Sequence, residues 1–220
     1  MAQADGSAPA SPRLQPVGWQ VGWLMPPATS SAVPRGGLTI KFGGSLLTRP
    51  DWPELLESLV RAVDGPWRLV VGGGPVVEGL RRLDAVRPQP EERMHRLAIG
   101  GMGVTARLVA ETIGSAVLHD PLAAATRSGV IDATAWLETG LLADLPEDWS
   151  VTSDSIAAVV AATNRQPLLL AKSVAPPNQR VAPPNQRVAA LGDWVDPHFA
   201  HVAVRLPSVG WAAPRVSSLV

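Results

Sequence analysis

From residue 38 onward, apolar and polar positions along the chain alternate between two rhythms. Short aliphatic runs read as buried strands: "LTIKF" (38–42), "WRLVV" (67–71) and "QPLLLAKSV" (166–174). Between them lie segments with apolar residues at helical spacing. "PDWPELLESLVRAV" (50–63) predicts a helix with Pro53 in its first turn. "GGGPVVEGLRRLD" (72–84) is a glycine loop opening into a helix. "PEERMHRLAIGGMGVTARLVAETI" (90–113) reads as one long helix or two broken ones, interrupted at Gly100, Gly101 and Gly103. "TSDSIAAVVAATN" (152–164) is a helix with a Thr or Ser cap and an acidic first turn. "SAVLH" (115–119) and "ATAWLE" (133–138) are weaker strand candidates. Strands alternating with helices predict an α/β fold, a three-layer α/β/α sandwich around a mainly parallel sheet.

The first 36 residues lack this rhythm and are rich in Ala, Pro, Ser and Gly, which predicts a disordered or loosely docked tail. Trp19, Trp23, Leu24 and Met25 are the residues there suited to docking on the body. The folded domain is expected to span 37–220. It contains a tandem repeat, "VAPPNQR" at 174–180 and again at 181–187, whose paired prolines predict an exposed loop at 174–187.

Charge narrows the partners. Nineteen basic residues balance nineteen acidic ones, which argues against nucleic acid and anionic membranes. The absence of cysteine excludes disulfides, thiolate metal sites and a cysteine nucleophile. His95, His119, His198 and His201 are too scattered to suggest a zinc cluster, so no metal-ligand set is assigned. No apolar run reaches the ~20 residues that span a bilayer, and no signal peptide opens the chain, so a soluble, cytoplasmic protein is expected.

Three strand ends meet polar or glycine-rich turns: "IKFGGS" (40–45), "VVGGGPV" (70–76) and "VTSDSIAA" (151–158). Consecutive glycines let backbone N–H groups converge on an anion, and a following helix N-terminus adds a favourable dipole. Lys41 and Lys172 are the two lysines of the chain; the other seventeen basic residues are arginines. A chain that uses arginine elsewhere keeps lysine where a compact point charge is needed.

The order of these motifs resembles the amino acid kinase superfamily, which includes acetylglutamate, aspartate, uridylate and isopentenyl phosphate kinases. Lys41, Gly43, Gly44 and Ser45 match its K-x-G-G-S strand end, Gly72, Gly73 and Gly74 its second glycine loop, and Ser153, Asp154 and Ser155 its S-x-D helix start. The resemblance implies the carbamate kinase-like fold, with ATP and Mg²⁺ as cofactors, a small-molecule acceptor and a homo-oligomeric state. It implies Lys41 and Asp154 as catalytic, with Gly43, Gly44, Ser45, Ser153 and Ser155 on the ATP phosphates; Lys172 is added to the catalytic set because it is the chain's second lysine. Gly72, Gly73 and Gly74 would meet the acceptor; Glu78, just beyond them, is assigned to the acceptor on its own chemistry, as the partner of an amine.

Two departures stand out. The family's D-G after the nucleotide strand is replaced by Ala175 and Pro176, and Lys172 falls where the family often has Thr or Ser. "GGGPVVEGLRRLD", "HRLAIGGMGVTARLVAE", "DWSVTSDSIAA", "LLLAKSV" and "WVDPHF" are most similar to the (aminomethylfuranyl)methyl phosphate kinases of methanofuran-type cofactor synthesis. That points to a phosphate monoester acceptor and a diphosphate product. Kinases for isopentenyl phosphate, UMP or an amino acid remain as alternatives at this stage. So does a non-catalytic nucleotide- or oxoanion-binding protein of the same fold.

Overall fold

The computed structural model describes residues 23–24, 37–120, 126–176 and 189–215. Its strands are β1 (Trp23–Leu24), β2 (Leu38–Phe42), β3 (Trp67–Val71), β4 (Val117–Leu118), β5 (Gly129–Ile131), β6 (Leu168–Ala171) and β7 (Val209–Pro214). They form one sheet in the order β1-β7-β6-β2-β3-β5-β4. Six strands run parallel, and β1 pairs antiparallel on the β7 edge. The helices are α1 (Trp52–Arg61), α2 (Gly74–Val86), α3 (Glu91–Thr112), α4 (Ala133–Glu138), α5 (Ser153–Thr163) and α6 (Phe199–Ala203).

Both faces of the sheet are covered, which explains why the strands read as continuous apolar runs. Leu38, Ile40 and Phe42 point to one core with Leu69, Val71 and Leu169, where Leu55, Leu56 and Leu59 of α1 pack. Val70, Leu168 and Leu170 point to the other, against Ile99 and Met102 of α3 and Ile156 and Val160 of α5. Each such side chain, fully buried, contributes about 1.5–3 kcal/mol. This is the expected three-layer sandwich.

The sequence reading needs one correction, and one of its alternatives is settled. "ATAWLE" is the helix α4, not a strand: the Asp132 carboxylate accepts the Thr134 N–H at 3.0 Å and caps it, and the strand lies just before, at β5. Of the two readings of 90–113, the single long helix is the one found: α3 is unbroken, and Gly101 and Gly103 serve close packing. A Cβ on Gly101 would lie 3.1 Å from Val77 of α2, and one on Gly103 only 2.8 Å from the Thr134 hydroxyl.

Of the N-terminal docking residues, Trp23 and Leu24 are described. Trp23 is buried in the α1-side core, and its indole N–H lies within hydrogen-bond distance of the Leu55 carbonyl (3.1 Å) and Ser58 Oγ (3.0 Å). Trp19, Met25 and residues 177–188, most of the repeat, lie outside the described residues. Among the described residues, no helix is long and apolar enough to cross a membrane.

Candidate active site

β2, β3 and β6 lie side by side in parallel, with Lys41 in register between Val70 and Leu170. Their carboxyl ends therefore emerge together, the place where open parallel sheets bind ligands. The ladder continues one step beyond the strands. The Gly43 N–H donates to the Ala171 carbonyl at 2.8 Å, and the Gly72 N–H to the Phe42 carbonyl at 2.9 Å. Both glycine loops are thus anchored before they turn.

The loops then pack backbone against backbone. A Cβ on Gly44 would sit 2.2 Å from the Gly74 nitrogen, and one on Gly74 would sit 2.5 Å from the Gly44 carbonyl oxygen. Gly74 also has φ +50°, the left-handed region that favours glycine. No side chain fits at either position.

Gly44, Ser45 and Gly72 to Gly74 form one wall of a cleft of about 200 Å³. α2 begins at Gly74 and α5 at Ser153, so two helix N-termini reach the same cleft. Their dipoles favour an anion there, although the Asp154 and Ser155 amides of α5 are already taken by Thr152 and Asp196.

Beside the glycine loops, Asp154 joins the two lysines. Its Oδ1 lies 2.9 Å from Lys41 Nζ, and its Oδ2 accepts a hydrogen bond from Lys172 Nζ at 2.7 Å. The Oδ1 contact is an ion pair between two buried groups. Asp154 and Lys41 are buried, and Lys172 is mostly so. Burial alone would raise the Asp154 carboxyl, but the charges of Lys41 and Lys172 and their hydrogen bonds outweigh it and hold it below its ordinary value. Lys172 is pushed down from the usual lysine value, first by burial and then by Lys41, against the opposing pull of Asp154. The result is a buried carboxylate flanked by two cations, a net positive centre at the strand ends.

The structure thus brings Lys41, Asp154 and Lys172 together, with Gly43 against them: a Cβ there would lie 3.7 Å from Lys41 Nζ. Gly44, Ser45, Gly72, Gly73, Gly74, Glu78 and Ser153 line the cleft. Glu78 does so from an exposed position on α2, 3.5 Å from Arg82. Ser155 does not join them. It is fully buried, and its hydroxyl and its N–H both donate to Asp196.

Several residues escape sequence reasoning. Asp196 accepts from the Thr152 N–H (3.0 Å) and hydroxyl (2.8 Å), from both Ser155 donors, and from the His198 (3.1 Å) and Phe199 (3.0 Å) amides. It fixes the start of α5, and hence Asp154, to the start of α6. The Asp-Pro pair in "WVDPHF" was the available signal for such a cap. Arg81, His95 and Trp149 also line the cleft. The Arg81 guanidinium lies 4.4 Å from the Trp149 ring centroid, and the Trp149 indole N–H donates to Asp84 at 2.8 Å. His95 Nδ1 lies 3.0 Å from the Asp148 carbonyl, which makes Nδ1 the donor and leaves Nε2 for other partners. No short motif marks these three, since only the packing of α2, α3 and the 148–152 loop assembles them.

With this geometry in view, likeness to solved structures is informative. The chain superposes on the uridylate kinase from Archaeoglobus fulgidus with a TM-score of 0.59, covering 80% of this chain and 90% of that one at 16% identity. It superposes on the UMP kinase from Bacillus anthracis at 0.52, covering 76% and 82% at 13% identity. This is the fold of the UMP kinases. They belong to the amino acid kinase superfamily, so the parallel sheet and its flanking helices are those the motifs lead one to expect. No family profile and no curated protein matches the chain.

Proposed function

We propose that the protein is an ATP-dependent phosphotransferase in which Lys41 and Lys172, set by Asp154, receive the charge of the transferring phosphoryl group. The observation that carries this reading is the Lys41–Asp154–Lys172 bridge at the strand ends, against glycine loops and two helix N-termini. Asp154 fixes both ammonium groups without neutralising them fully, so they can meet an oxyanion without reorganising. Gly44, Ser45 and Ser153 bind ATP phosphates through backbone N–H and hydroxyl donors, whereas the Gly43 N–H is held by the Ala171 carbonyl and Gly43 leaves room beside Lys41. Mg²⁺ would be held mainly by the nucleotide's own phosphates and would supply charge neutralisation there, since Asp154 is already shared between two cations.

The acceptor occupies the cleft between Gly72–Gly74 and Glu78. We infer a phosphate monoester, with (5-(aminomethyl)furan-3-yl)methyl phosphate as the substrate and a diphosphate as the product. A monoester is largely dianionic at pH 7, its second pKa being near ~6, and attacks without a general base. Catalysis then reduces to holding two anions in line and stabilising the charge between them. Arg81 also lines this cleft. Arg81 suits the phosphate of the acceptor, the Trp149 face a small ring, and Glu78 its amine.

The experiment is ADP release from Mg-ATP with a panel of this compound, isopentenyl phosphate, UMP, acetylglutamate and aspartate. Highest kcat/KM for the furan phosphate is expected. Preference for UMP or for a carboxylate overturns the acceptor, and no turnover with any compound overturns the phosphotransferase reading.

A further inference from the structure

Lys172 touches one element that the chemistry above does not use. The chain leaves β6 at Ala171 and returns at Trp194, with Gly192 at φ +46° making the turn before it. The Trp194 ring centroid lies 4.5 Å from Lys172 Nζ, and the Trp194 carbonyl accepts a hydrogen bond from the same ammonium. The Trp194 indole N–H donates to the Val174 carbonyl at 2.9 Å, which ties the two ends of the intervening segment at the lysine itself.

We propose that Trp194 is a positioning residue for Lys172: its ring and carbonyl hold the ammonium group against Asp154, where the phosphoryl group is to pass. A lysine has three ammonium donors on four rotatable carbons, and without a wall it samples many directions. Asp154 fixes one donor and the Trp194 carbonyl a second, and the ring covers the ammonium on a further side. An aromatic face attracts the cation while excluding water, so it orients the charge without quenching it. The consequence for catalysis rests on the phosphotransferase reading; the placement of the side chain does not.

The chain has only two lysines, which makes the placement directly readable. Full-length protein labelled with [¹³Cε]lysine should give two ε-methylene signals in a ¹H–¹³C spectrum, and Lys172→Arg identifies the Lys172 signal by deleting it. In the wild type that signal should be displaced upfield by the Trp194 ring current. Trp194→Phe, which keeps a ring, should retain most of the displacement. Trp194→Leu, which keeps apolar volume alone, should lose it with the Lys41 signal unmoved. In turnover, Trp194→Leu should lower kcat about tenfold with the acceptor KM within about threefold, and Trp194→Phe should stay within about twofold of wild type. A Lys172 signal unchanged in Trp194→Leu overturns the proposal, as does a Trp194→Leu kcat within twofold of an active wild type. If no acceptor supports turnover, the spectrum alone decides the placement, and only the phosphotransferase reading falls.

Discussion

Two carboxylates are buried at the start of α5, Asp154 within it and Asp196 against it, and they are satisfied in opposite ways. Asp196 is surrounded by neutral donors, four backbone amides at the starts of α5 and α6 among them. Asp154 meets two ammonium groups and no such set of amides. Neutral dipoles fix a carboxylate and bring no positive charge of their own. Two cations on one carboxylate leave a positive centre able to hold a further anion. The first arrangement builds the helix start; the second equips it for chemistry.

The comparison breaks most visibly at Lys41. Lys41→Ala removes one of the two cations, and kcat should fall by about 10²-fold or more with the circular dichroism spectrum unchanged. If turnover stays near wild type, the charged carboxylate has no catalytic advantage over the neutral one.

The opposite pattern is expected at Asp196. Asp196→Ala leaves several buried donors unpaired, at a cost of about 2–4 kcal/mol in stability, read as the urea midpoint. Turnover per folded molecule should fall far less than in Lys41→Ala. An unchanged midpoint would show that Asp196 does not anchor α5.

pH sharpens the contrast further. Lys172 lies among Lys41 of β2, Asp154 of α5 and the more distant Asp196, and burial with the Lys41 charge lowers it from 10.5. Its charged form is the active one, so kcat should fall as pH rises through the lowered value, starting below pH 10.5. Asp154 is held below 3.8, so it stays ionised as pH falls to that value, and its contribution to stability is lost only as pH falls through its lowered folded value. An alkaline limb at the ordinary lysine value would contradict the burial of Lys172.

What was legible in the chain follows the same division. Local pattern reveals the elements that local pattern determines. The aliphatic runs marked β2, β3 and β6, and the glycine loops and lysines at their ends marked the site. "ATAWLE" misled because its apolar residues satisfy either period, and the deciding feature is the Asp132 cap one residue before it. Gly100, Gly101 and Gly103 left a break open as an alternative because a glycine needed for close approach, as Gly101 is to α2 and Gly103 to Thr134, cannot be told in sequence from one that ends a helix. Arg81, His95, Trp149 and Trp194 were out of reach because tertiary packing alone brings them to the cleft or to Lys172. Ser155 sat in the right motif but on the inward side of α5, where it serves Asp196.

The central claim is that Asp154, shared by two lysines, organises phosphoryl transfer. ³¹P NMR of Mg-ATP and the furan phosphate, with wild type and Asp154→Asn side by side, tests it most directly. The account predicts paired diphosphate resonances growing with ADP in the wild type, and a rate about 10²-fold lower in Asp154→Asn, which keeps the shape but not the charge. Diphosphate formed by Asp154→Asn at the wild-type rate would contradict it.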